Sequence, residues 1–457
     1  MGAIALYAEE DLRRPPEPGD DGSRNATLDE LCSTLFADLA RSDQRRTGTE
    51  YIQGLLRTDG RKSIRNIAGR LGGQATEQRL HHFICSSTWD WRTVRQALGR
   101  YATSDGPPQA WVVRPMVIPK AGENSVGVDR RFFPAFGQVL NGQEACGVWA
   151  AWDDRSIPIN WRLHLSGAWL DADRRERASI PDSVVAEPLA HCAVESYLGM
   201  MRDWDLPVRP VVLDGRATNV IATIRRFVAA SVPVLIRFNG TCPLTVAPTA
   251  VPGRSGDIPA DRIMAAVRHV GSTVFWRDHT PAATMRASTV STMRVRLPSR
   301  GTGRQSTRHQ ELLLMGVREN GQRWPTEFWL TTMVDARPAE LVRLSRLTQR
   351  VDLDFDDISD QVGIRDFTGR SFDGWHRHVT LASAAHAVAL ATRGTNRWTG
   401  AHRIADGDVR DPAEPAPARS VWRQAAAAGG ARRVPRPRGS QPWLPELLRG
   451  RRPVDFP

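Results

Sequence analysis

Asp214 closes the apolar run Arg209-Pro-Val-Val-Leu-Asp214, and Asp352, Asp354, Asp356 and Asp357 crowd a later helical stretch. A carboxylate at a strand end, with others on a helix, is the raw material of a two-metal nuclease site. In such a site about three carboxylates hold cations roughly 3.5–4 Å apart; one activates water and the other steadies the leaving 3′ oxygen. A second apolar strand, within Ala110-Trp-Val-Val-Arg-Pro-Met-Val-Ile-Pro-Lys-Ala-Gly122, carries Arg114 where a partner carboxylate is wanted. Taken alone, Asp214 is more readily a turn or helix-cap aspartate.

The elements that must position these residues follow from the patterning. Residues 1–26 are acidic and rich in Pro and Gly, and are expected to be a disordered leader. Residues 27–105 read as a helical domain, opening with Thr27 three residues before Glu30 in a capping-box pattern. Within it, Ser63–Leu71 and Thr76–Ile84 flank Gly72-Gly73. Two short helices around a glycine turn fit a DNA-binding helix-turn-helix and an ordinary helix pair equally. Arg61, Lys62, Arg65, Arg70 and Arg79 lean towards DNA. Residues 106–240 alternate strand and helix signals: strands at Trp111–Ile118, Ser125–Phe133, Ala145–Trp152 and Ile159–Leu165, then strand–helix–strand through Pro210–Leu213, about 217–230 and Val232–Phe238. Residues 241–335 turn β-rich, with a hairpin signal at Asn320-Gly321. Residues 336–391 return to helix, with Gly369–His378 read as a loop, and 392–457 form an expected disordered Arg/Pro/Ala-rich tail.

Composition bounds the partner. The net charge is +12, and all but Lys62 and Lys120 of the 62 basic residues are arginine. The tail from Ala391 carries 13 Arg against 6 acidic residues, so the folded part is only mildly basic. The balance favours a polyanion. The five cysteines (Cys32, Cys85, Cys146, Cys192, Cys242) form no CxxC pair, which argues against structural zinc and against a disulfide framework. No apolar run approaches the roughly 18 residues of a membrane span. There is no serine-hydrolase elbow, and Gly301-Thr-Gly303 lacks the lysine of a phosphate loop.

Six local matches, in order, carry a resemblance: Ser87-Thr-Trp-Asp-Trp91, Ile118-Pro-Lys-Ala-Gly122, Ser125-Val-Gly-Val-Asp-Arg-Arg131, Asn160-Trp-Arg-Leu-His-Leu165, Pro210-Val-Val-Leu-Asp214 and Gly369-Arg-Ser-Phe-Asp-Gly-Trp-His-Arg-His-Val-Thr-Leu381. Over about residues 28–390 the chain resembles bacterial insertion-sequence transposases of the DDE superfamily, in the insertion-sequence-701 group. The resemblance implies an α/β fold: an RNase H-like mixed-sheet core with an N-terminal helical domain and a β-rich insertion. It places Asp214 at the second catalytic aspartate, Asp352 at the family's late glutamate, and Arg114 at the first aspartate. Ser359 is nearest to an expected basic position.

That arginine sets the expectation for function. Exchanging Asp for Arg changes the site by two charge units, and a guanidinium about 4 Å from a divalent cation is repelled by several kcal/mol. Arg114 is expected to pair with Asp214 or Asp352 instead, which leaves a DNA-binding, catalytically silent relative or a regulator derived from one. The alternative is an active transposase using Asp214, Asp352 and a carboxylate from Asp129, with Mg²⁺ or Mn²⁺; Asp129 reads more simply as a salt-bridge partner of Arg130 or Arg131. The expected DNA contacts are Lys62, Arg65, Arg70, Arg79, Lys120, Arg370, His376, Arg377 and His378, although the last three also suit loop packing. The expected partner is double-stranded DNA, with a homodimer left open, no membrane, and a cytoplasmic, nucleoid-associated location.

Overall fold

The computed structural model describes residues 18–247, 256–279, 284–298, 310–319 and 321–401. Gly301–Gly303, Asn320 and the chain from residue 402 onward, including most of the expected tail, lie outside them.

Five helices lead: α1 (Pro18–Leu35), α2 (Ser42–Arg57), α3 (Ile64–Leu71), α4 (Gln74–His81), which continues as a π turn to Ser86, and α5 (Trp91–Ala102). The expected leader is too long, because α1 already begins at Pro18. Thr27 therefore sits inside a helix and caps nothing; its hydroxyl donates back to the Ser23 carbonyl at 3.0 Å. Further on, the caps are ordinary. Ser63 accepts the Asn66 N–H at 3.1 Å and Asp90 accepts that of Arg92 at 2.9 Å. Gly73 takes a φ of 80°, which turns the chain sharply between α3 and α4.

The core follows with β1 (Ala110–Pro119), β2 (Val128–Phe133), β3 (Gln138–Ala151), β4 (Ser156–Leu163), α6 (Ala172–Ala178), α7 (Leu189–Asp203), β5 (Val211–Asp214), α8 (Val220–Ala229) and β6 (Val234–Phe238). β3 pairs antiparallel with β1, β2 and β4, while β1, β5 and β6 run parallel. The parallel strands are apolar almost throughout because helices cover both faces. Asn219 caps α8 through the Ala222 N–H at 3.1 Å, so the chain turns from β5 into a helix at once.

The β-rich stretch contributes β7 (Pro243–Val246), β8 (Asp257–Pro259), α9 (Ala260–Val267), β9 (Gly271–Arg277), β10 (Met285–Arg296), β11 (Leu312–Glu319) and β12 (Glu327–Thr331). It does not form a sheet of its own. β12 adds antiparallel to β6, so the order runs β2-β3-β1-β5-β6-β12-β11-β10-β7-β8 in one mixed sheet. Gly321, with a φ of 83°, supplies the left-handed residue between β11 and β12.

Two helices close the fold: α10 (Pro338–Asp354), prolonged by a π turn to Ser359, and α11 (Phe372–Ala401). The stretch Gly369–His378 is a loop only to Ser371. Its remainder is the first part of α11, whose residues Gly374–Val388 are all buried. A helix apolar all round needs neighbours on every side. α1, α2, α5 and β4 all pack against α11, and one apolar core runs from the N-terminal helices into the sheet. Each fully buried large side chain there, such as Trp375 or Leu381, contributes about 1.5–3 kcal/mol.

Candidate active site

The strands set the geometry. β1 and β5 lie side by side with Val113 opposite Leu213, so Arg114 and Asp214 are the next neighbouring positions. α10 packs across both strands. Its last turn brings Asp352 to Arg114, whose Nε donates to Asp352 Oδ1 at 2.9 Å. The Arg114 guanidinium lies 3.8 Å from the Phe355 ring centroid, and the side chain is 7% exposed while that of Asp352 is 55% exposed. Arg114 is thus a buried, stacked cation, with its charge turned towards the carboxylate the helix presents.

Asp214 is held by a different arginine. Arg216 Nε reaches both carboxylate oxygens at 3.0 Å, its Nη2 reaches Oδ2 at 2.6 Å, and its backbone N–H reaches Oδ1 at 3.1 Å. The hydrogen bond that Arg216 donates to Asp214 is the largest cause raising the Arg216 pKa, with Glu327 and Asp352 adding to it. Glu327, at the start of β12, accepts from Arg346 Nη1 at 2.9 Å and from Trp329 Nε1 at 3.1 Å, with Arg237 Nη2 at 3.5 Å. Burial works to raise its pKa, but Arg346 and Arg237 outweigh burial and hold Glu327 below the usual carboxylate range. Every carboxylate around the junction of β1, β5 and α10 therefore has a guanidinium on it.

Asp354 of the late helix points elsewhere. It is buried on Arg350 Nη2 at 2.6 Å and on the Ser156 hydroxyl at 2.8 Å, and burial raises its pKa. Ser359, fully buried, donates to His386 Nδ1 at 2.9 Å, so the expected basic position is an inward hydroxyl. Asp129 is not brought to the site: β3 separates β2 from β1, and Asp129 pairs with Gly142, level with Pro119 rather than Arg114. Its carboxylate accepts from Ser166 at 3.0 Å. The idea that Asp129 completes a metal site fails on that separation.

The expected DNA contacts divide. Arg65, Arg70 and Arg370 are exposed and without an ion-pair partner among the described residues. Arg65 and Arg70 line a surface cleft of about 760 Å³. Arg79 is exposed but bound to Glu50 at 2.7 Å. Lys62 is 6% exposed, and burial lowers its pKa. Lys120 is half-buried and donates to the Phe367 carbonyl at 2.6 Å. His376, Arg377 and His378 are corrected: all three are buried at the start of α11. His376 stacks on Trp91 at 4.1 Å, and Arg377 donates to the Trp89 and Ile84 carbonyls at 3.2 Å. His378 lies between the Tyr51 hydroxyl and the Gly363 carbonyl, each at 2.8 Å. They bolt the helical domain to the core and cannot reach a phosphate.

Arg216 and Glu327 escaped sequence reading. An arginine two residues past a strand-end aspartate is a local signal that could have been used. Glu327 had none, because its partners Arg237 and Arg346 come from other elements.

A mixed sheet with parallel β1, β5 and β6, antiparallel strands on its flank and a late helix crossing it is the RNase H-like frame of DDE nucleases. The family model "DDE superfamily endonuclease" matches residues 34–294, more than half the chain, and the protein belongs to that family. The match includes Arg114 and Asp214 and ends before α10, so Asp352 enters on geometry. No curated protein matches the chain.

Family members use divalent metals, and the residues present here do not fit one. Among the described residues no three His, Cys, Asp or Glu side chains converge as ligands. A guanidinium about 4 Å from a divalent ion is repelled by about 8 kcal/mol at an effective dielectric near 20. Displacing it would also strip Asp352 of its partner.

Proposed function

We propose that this protein is a DNA-binding descendant of insertion-sequence transposases, of the insertion-sequence-701 type, that no longer cuts DNA. The observation that carries this reading is the Arg114–Asp352 ion pair, a buried cation at the position the resemblance assigns to a metal-binding aspartate. Its ligand is double-stranded DNA, met through phosphates by the exposed cations Arg65, Arg70 and Arg370 together with Lys120, and its role is regulatory or a remnant of transposition. Under this reading the chain works at the nucleoid and needs neither Mg²⁺ nor Mn²⁺.

Incubation of the purified protein with supercoiled plasmid and Mg²⁺ or Mn²⁺ tests the silent site. The expected result is no nicked circle. Nicking that Asp214→Ala abolishes would establish an active enzyme and overturn the proposal. Gel shifts with genomic fragments test the DNA role: retained complexes at about 100 mM salt are expected, falling steeply as salt rises.

A further inference from the structure

Three parts of the chain meet at one cleft of about 730 Å³: the turn after α2, the segment leaving β1, and the stretch after the π turn of α10. Its charges are unevenly satisfied. The carboxylate of Asp360 is taken by Arg365, and Asp366 Oδ2 accepts the backbone N–H of Lys62 at 2.7 Å. Arg61 is exposed and has no ion-pair partner among the described residues. Lys120 Nζ donates to the carbonyls of Phe367 at 2.6 Å and Arg365 at 3.4 Å, so neutral oxygens orient it; the Asp366 carboxylate acts on it through space without an ion-pair contact. Two cations from opposite sides of a seam thus face one concave, polar space. The volume exceeds that of a lone ion and falls in the range of sites for small organic groups.

We propose that this seam cleft seats a backbone phosphate of a bound DNA strand, gripped by Arg61 from the helical domain and Lys120 from the sheet. The site is separate from the altered metal position, since Lys120 lies about 20 Å along β1 from Arg114. It rests on the DNA-binding reading and adds where one strand crosses. The cleft bearing Arg65 and Arg70 also takes in Thr58 and Asp59, next in sequence to Gly60 and Arg61, so the path continues over those cations. Burial, and then Arg61, push the Lys120 pKa down to about 8. A phosphate between the two cations would offset the repulsion from Arg61.

Fluorescence anisotropy of the full chain with a duplex of about 30 base pairs, in EDTA and across a salt series, tests the site. Each phosphate contact contributes about 0.9 to the slope of log K against log salt. Arg61→Ala with Lys120→Met should lower the slope by about 0.9, the contribution of the one phosphate they share, and each change alone by part of that, while Arg225→Ala on α8 leaves it unchanged. Arg61 is exposed, so Arg61→Ala decides the matter even where Lys120→Met loosens the loop. Duplex binding with an unchanged slope in Arg61→Ala overturns the seam site and leaves the DNA reading standing. No binding by the wild type removes both. Sodium phosphate at matched ionic strength should displace the duplex no better than chloride. A phosphate-specific displacement, lost in Arg61→Ala, would assign the seat to free phosphate and overturn the strand.

Discussion

Arg114 decides what chemistry remains, and its effect can be reversed on paper. Arg114→Asp would place three carboxylates, at 114, 214 and 352, where the wild type has two and a cation. Mn²⁺ binding followed by electron paramagnetic resonance should be absent from the wild type and should rise at least about tenfold in Arg114→Asp, since 1.4 kcal/mol suffices for that factor. Asp214→Asn in the same background should remove the gain. Equal Mn²⁺ binding by wild type and Arg114→Asp would show that the guanidinium is not what excludes the ion. The pair has a structural side as well. Arg114→Met keeps bulk over Phe355 but loses the bond to Asp352. Because Asp352 is more than half exposed, the loss in urea stability should be small, about 1 kcal/mol or less. At this scale Asp214 was legible from its strand end, while Arg114 lies in the middle of β1, and Glu327 became a site residue only when β6, β12 and α10 were laid together.

At the scale of one element, α11 carries a prediction about acid. His378 and His386 are buried, and each ring is held as a neutral tautomer. In His378, Nε2–H donates to the Gly363 carbonyl and Nδ1 accepts from Tyr51; in His386, Nε2–H donates to the Ser156 carbonyl and Nδ1 accepts from Ser359. Burial lowers their pKa values to about 4 and about 3. Folded values therefore lie below the unfolded value near 6.5. The unfolded chain takes up the extra proton first, so stability is complete above pH 6.5 and erodes as pH falls towards 4 and 3. Between pH 7.5 and 5.0 each histidine should cost on the order of 2 kcal/mol. Urea midpoints at the two pH values, compared with His378→Gln and His386→Gln, check this. An unchanged pH dependence in both variants would mean that other groups govern the acid limb. In β3, Gly147 lies opposite Arg114, and a Cβ there would sit 2.7 Å from Trp161. Gly147→Ala should lower stability by about 1–3 kcal/mol through overpacking, read as a drop in the thermal midpoint.

Across the whole molecule, Arg95 ties the helical domain to the sheet. It is fully buried and donates to Thr380 at 2.7 Å, Asn160 at 3.1 Å, the Trp161 carbonyl at 2.7 Å and His376, with its guanidinium over Trp91. Burial, chiefly, lowers its pKa well below the usual arginine value. Arg95→Ala would strand several buried acceptors at once and should cost about 3 kcal/mol or more in urea unfolding. If the variant unfolds with wild-type stability, the joint is held by the apolar contacts and the remaining polar ones, and Arg95 is not what ties the two parts. The same joint explains His376, Arg377 and His378. By residue type they suit phosphate; by position they are mortar between α11, α2 and α5.

Local pattern alone determined the order of elements, because apolar periodicity, caps and glycine turns act over a few residues. It also determined the parallel strand–helix–strand unit and the Ala-rich late helix. Only the tertiary structure decided that Asp352 took Arg114 and Glu327 took Arg346, that the β-rich stretch extends the core sheet through β12, and that His376, Arg377 and His378 at the start of α11 are interior. Those outcomes depend on burial and on contacts between residues of different elements. A side chain's charge is written in the sequence, but whether that charge faces water, a partner or another element is set by what packs over it.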